Sequence, residues 1–132
     1  MRHPKALEWE AKLKDIFDRI DSELEESYGN LYPLHPARAR RGDTANPEDE
    51  GLFDVGAAFT AGFGSEFGAG YVIQVHMATL EEVPPHVREN ILREVKEKLE
   101  AALPVAFPGR NLRLISEGGV FKIIGDLGLG NA

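Results

Sequence analysis

The sequence predicts an α+β domain, a two-layer helix-on-sheet fold with element order αββαββ and a four-stranded, largely antiparallel sheet. Three observations carry this. Two stretches repeat apolar residues at three- and four-residue steps. Two pairs of shorter stretches alternate apolar and small residues. Each pair is joined by a glycine-containing link short enough for a hairpin.

Residues 5–27 form the first predicted helix. Trp9, Leu13, Ile16, Phe17, Ile20 and Leu24 share one face, with Glu8, Lys12, Lys14, Asp15, Asp18 and Glu25 on the other. Pro4 suits the helix start and Gly29 its end. The acidic face is what a solvated amphipathic helix presents, and a partner surface is the less ordinary use of it. Residues 29–51 then read as a long irregular loop, broken by Pro33, Pro36 and Pro47. Connections of this length are uncommon inside a compact domain, where the median is about 4–6 residues, and those that occur are commonly functional.

Residues 52–63 and 71–80 read as the first two strands. Phe53, Val55, Ala57, Phe59, Ala61 and Phe63 line one face of the first, unless a bulge at Gly56 shifts the pattern. The other face is small: Gly56, Ala58, Thr60 and Gly62, facing Val72, Gln74 and Ala78 of the second strand. Residues 85–103 form the second helix, with Val87, Ile91, Val95 and Leu99 on its stripe and Pro104 expected to end it. Residues 112–116 and 120–125 complete the sheet across a Glu117-Gly118-Gly119 turn, and the tail 127–132 is expected to fray. The length of 132 residues suits one domain spanning 1–132.

Composition restricts function. There is no cysteine, which removes disulfides, thiolate metal sites and a cysteine nucleophile. No segment is strongly basic and the net charge is −7, so nucleic acid is not an expected partner. No apolar run reaches the ~18 residues of a membrane span, and no apolar signal core follows the N-terminus, so the expected location is cytoplasmic with no membrane partner. No histidine pair has metal-ligand spacing and no cofactor is implied.

The candidate site residues are His35, Arg38, Arg40, Arg41 and His76. Arginine forks capture carboxylates or phosphates bidentately, and three lie within four positions on the long loop beside His35. The alternative is that Asp43, Glu48, Asp49, Glu50 or the acidic first helix neutralise them. His76 lies on the small-residue face with Gln74, and Asp54 and Thr60 lie on the matching face of the neighbouring strand, so a His–Asp proton-transfer unit is conceivable. The glycine-rich link Gly62–Gly70 lacks the spacing and the following helix of a dinucleotide fingerprint, and reads as a flexible hairpin connection. Arg41-Gly42-Asp43 spells an adhesion tripeptide that carries little weight without a secretion signal.

Two functions follow as expectations. One is a non-enzymatic homo-oligomeric or ligand-binding module, a homodimer joined through the small-residue face of the first hairpin. The other is a small enzyme acting on an anionic metabolite, held by Arg38, Arg40 or Arg41, with His76 or His35 moving the proton.

Overall fold

The structure is a computed structural model that describes residues 4–117 and 120–125; the predicted Gly118-Gly119 turn and the tail 127–132 lie outside the described residues. Helix α1 spans Pro4–Tyr28, strands β1 and β2 span Phe53–Thr60 and Gly70–Met77, helix α2 spans Pro85–Ala106, and strands β3 and β4 span Leu112–Glu117 and Val120–Gly125. The four strands form one antiparallel sheet, as the sequence predicts, and their order in it is β1-β2-β4-β3. Both helices cover one face of it. Their stripes meet Phe53, Val55, Tyr71, Ile73, Met77 and Ile123 in a single apolar core. Trp9 anchors the junction, with its ring centroid 4.3 Å from Phe107 and 5.8 Å from Tyr71.

The β1–β2 register is unbroken from Phe53↔Met77 to Thr60↔Gly70, so Gly56 pairs with Gln74 and no bulge shifts the faces. The predicted core residues Leu13, Phe17, Ile20, Phe53, Ile73, Ile91, Val95 and Leu99 are buried, and Val75 packs against them partly buried.

Four expectations need correction. Phe59 has the right parity for the core but is 50% exposed: near the end of β1 its ring meets that of Tyr71 edge-on and its other half stays in solvent. Phe63, predicted on the same face, is 97% exposed. It lies beyond the strand, where the chain turns through Gly62 (φ 79°) and the Ser65 N–H donates to the Gly62 carbonyl. The second strand ends at Met77 rather than 80; after it Thr79 N–H turns back to the Met77 carbonyl. Pro104 does not end α2, which continues to Ala106. Proline removes only its own N–H, and the Phe107 N–H still reaches the Leu103 carbonyl at 2.9 Å, so the last turn closes around it.

Truncating Phe53 to Ala is expected to cost about 3–5 kcal/mol, as for a fully buried aromatic. Phe59→Ala is expected to cost about 1–2 kcal/mol, since half of that ring is already in water. Urea unfolding of the two variants checks the difference.

Candidate functional site

The long loop is held against the edge of the sheet, and its arginines show how. Arg38 Nε donates to the Gly51 carbonyl at 3.0 Å, and its Nη2 donates to the carbonyls of Glu48, Glu50 and Phe53 at 2.6, 3.1 and 3.1 Å. The guanidinium therefore satisfies backbone oxygens of the loop and of β1, a partner set not among those the residue pattern suggested. Arg41 reaches the Ser22 carbonyl at 3.5 Å and Glu26 at 3.8 Å on α1. Arg40 is exposed, and its backbone N–H donates to Asp43. His35 Nδ1 accepts the Ala37 N–H at 3.0 Å, and the His35 backbone N–H donates to the Ala78 carbonyl. The acids nearby are used locally too: Glu50 accepts from Thr44 N–H and Oγ1, and hydrogen bonds from Gly42 and Thr44 hold its carboxyl below the ordinary range.

Two buried carboxylates complete this edge. Glu25 accepts the Phe53 N–H at 2.7 Å, and Asp21, one helical turn earlier, accepts the Val55 N–H. Asp21 is 1% exposed and its Oδ2 has no hydrogen-bond partner. Burial, with Glu25 beside it, pushes its pKa up to about 8 against the opposing Val55 N–H. Burial also raises Glu25, opposed by the Phe53 N–H. Neither residue stood out in the sequence, where Glu25 read as part of a polar helix face and Asp21 was not singled out.

His76 faces outward on the uncovered side of the sheet, directly across from Asp54. Asp54 is raised by burial and by Glu48, and is drawn back down by Arg38 and His76. Arg38 and His76 thus both act on Asp54, whereas nothing joins Arg40, Arg41 or His35 to it. A cleft of about 690 Å³ opens here. Glu48, Asp49 and Asp54 line one part, Gln74 and His76 another, and Leu92, Val120 and Phe121 the remainder.

The apolar part lies beside the β2–β4 ladder. Among the described residues that ladder holds Tyr71↔Ile123 and Val72↔Lys122. Leu92 of α2 and Phe121 of β4 line the cleft next to it. Within the ladder Lys122 is 2% exposed, and its ammonium donates to Ser65 Oγ at 3.0 Å and the Gly68 carbonyl at 2.5 Å. The glycine-rich link is therefore pinned over the sheet by a lysine that the sequence reading passed over.

A second concavity, about 530 Å³ between the two helices, has Ala101, Ala102 and Val105 among its walls, and its rim includes the Lys98–Glu23 ion pair at 3.2 Å. Among the described residues no group of three or more His, Asp or Glu side chains is placed to hold a metal ion, and no helix is long and apolar enough to cross a membrane.

A protein-family model described as "Uncharacterised protein" matches residues 4–125, and the chain belongs to that family. It is similar, at 39% identity over 125 residues, to a Borreliella burgdorferi protein described as "Uncharacterized protein", with 95% of this chain and 98% of that protein covered. No solved structure matches the chain.

The buried Asp21 makes stability depend on pH. Its folded pKa of about 8 lies above its ordinary 3.8, so the native state holds a proton that the unfolded chain releases. That stabilisation is complete below pH ~4 and is lost as pH rises toward ~8. Asp21→Asn keeps an acceptor for the Val55 N–H and removes the titration. Its urea midpoint is expected to fall less than the parent's between pH 5 and pH 8.

Proposed function

We propose that the protein is a non-enzymatic binding module, and that its ligand occupies the cleft on the uncovered sheet face and carries a cationic group beside an apolar one. The observation behind this reading is the lining: three carboxylates at one part, Leu92 and Phe121 at another, in a volume within the usual ~300–1,000 Å³ of ligand sites. An anionic ligand on the arginine loop has less support, since Arg38 is engaged by four backbone carbonyls and Arg41 by α1. His76 stays in the site as a polar wall.

A ligand that binds only the folded state raises its melting temperature. 4-Phenylbutylamine is expected to raise it and 4-phenylbutyrate to leave it unchanged, with the amine's effect reduced in Asp54→Asn. A rise with the carboxylate or with phosphate, lost in an Arg40→Ala/Arg41→Ala variant, overturns this reading in favour of anion capture.

A second reading, self-association, is favoured by the small and uncovered patch around Ala58 and Val72. Light scattering is expected to report about twice 14.5 kDa, and Ala58→Arg to shift the protein toward monomer by steric clash and a buried charge. A parent that stays monomeric at high micromolar concentration removes the homodimer.

A further inference from the structure

The glycine-rich link between β1 and β2 closes on itself. Gly62 and Gly68 approach so nearly that a Cβ on Gly62 would lie 2.1 Å from the Gly68 carbonyl oxygen, so residues 63–67 form a compact loop. The Ser65 N–H donates to the Gly62 carbonyl at 2.9 Å, and the Phe67 N–H donates to Ser65 Oγ at 3.2 Å. The Lys122 ammonium fastens Ser65 Oγ and the Gly68 carbonyl to the sheet. Held in this way, the loop leaves Phe63 97% exposed and Phe67 38% exposed, with Glu66 exposed beside them. Glu66 makes no hydrogen bond or ion pair among the described residues. An aromatic ring already fixed on an ordered loop loses little freedom on docking, and such rings are frequent anchors of protein interfaces.

The concavity between α1 and α2 is a matching hollow. Ile16, Ile20 and Ala102 are among its walls, and Val105 beside them is 82% exposed. Its volume of about 530 Å³ admits a phenyl ring. Its lining carries Lys12, Arg19 and Lys98 against Asp15 and Glu23, a local surplus of positive charge in a chain of net charge −7. Lys98 is paired with Glu23, and Lys12 lies 5.7 Å from the Phe107 ring centroid. Arg19 is exposed and makes no hydrogen bond or ion pair among the described residues. The hollow is lined by helix residues alone. The loop is fastened to Lys122, which pairs with Val72 and shares its uncovered face of the sheet. Loop and hollow therefore belong to opposite layers of the molecule.

We infer that Phe63 of one copy of this chain seats in the α1–α2 hollow of a second copy, with Glu66 beside Arg19. The ring meets apolar walls, and the acid next to it meets the unpaired cation. Because loop and hollow lie on opposite layers, the contact joins copies head to tail, and repeating it gives a ring or an open chain. One buried phenyl ring contributes about 150–250 Å² of contact, against the ~1,200 Å² of a stable interface, so the association is weak and concentration-dependent. Charge selects a second copy over a membrane surface: the chain has no Lys or Arg between residues 52 and 83, and Glu66 opposes the anionic lipids that basic segments seek. The contact leaves the ligand cleft free and is separate from pairing through Ala58.

Sedimentation equilibrium of the full chain tests the contact. The average mass of the parent is expected to rise with concentration from 14.5 kDa past twice that value. Phe63→Ser and Val105→Glu change exposed side chains, so their thermal melts are expected to match the parent's, while each weakens self-association about tenfold. An equimolar mixture of these two variants is expected to form a 1:1 complex and stop there, because one keeps only the hollow and the other only the ring. Glu66→Arg and Arg19→Glu are each expected to weaken association several-fold, and the two together in one chain to restore it. A mixture that does not associate, or a parent that stays monomeric at high micromolar concentration, overturns the contact. Self-association that survives Phe63→Ser and is lost in Ala58→Arg also overturns it, and assigns assembly to the sheet face. Binding of a monomeric parent to phosphatidylcholine vesicles, lost in Phe63→Ser, overturns it in favour of a membrane surface.

Discussion

Everything on the cleft side of the molecule depends on how the exposed edge of β1 is closed. An edge strand presents unpaired N–H and C=O groups that invite another chain. Among the described residues no fifth strand covers them. Asp21 and Glu25 sit four residues apart on α1, a rise of about 6 Å. Two residues of strand advance by about 6.8 Å. The near match lets successive helical turns receive the N–H groups of Val55 and Phe53, while Arg38 takes the Phe53 carbonyl from the loop side. Gly51 makes room for this: a Cβ there would lie 2.4 Å from Glu25 Oε1, and its φ of +71° already suits glycine.

That closure redistributes charge. Arg38 neutralises part of the buried acid pair and orders the loop through carbonyl oxygens, so the cation that looked available for a ligand is used within the fold. The acids it might have paired with are left facing the cleft: Glu48 near Lys14 at 4.0 Å, and Asp54 across from His76. A loop that reads as an anion trap therefore lines an electronegative cleft.

The sequence carried the fold well because period and parity are local. The helical stripes, the two hairpins and their faces follow from residue spacing alone, and Asp54 and His76 could be placed on one face before any coordinates. Phe59 marks where parity stops being informative: it says which face a residue takes, not whether a helix extends far enough to cover that face. The site was less legible for a related reason. Whether Arg38 meets a carboxylate, a ligand or a backbone carbonyl depends on where residues 48–53 pass in space. The roles of Asp21, Glu25 and Lys122 likewise arise from long-range packing that leaves no periodic trace.

The junction of β2 and β4 is set by a buried charge. Lys122 cannot be buried without acceptors, because an uncompensated ammonium away from water is costly. The glycine-rich link brings Ser65 and the Gly68 carbonyl down to it, and Gly70 lets the backbone pass closely, since a Cβ there would lie 2.5 Å from the Ile123 carbonyl oxygen. The sheet is thus drawn tight at Val72↔Lys122. Leu92 and Phe121 line the cleft nearby, and Lys96 lies 5.5 Å from the Phe121 ring centroid. The hairpin β1–β2 is therefore fixed on both sides, by the α1 carboxylates along its outer edge and by the buried Lys122 where it meets β4, and the cleft wall it carries at Asp54, Gln74 and His76 is held between these two anchors.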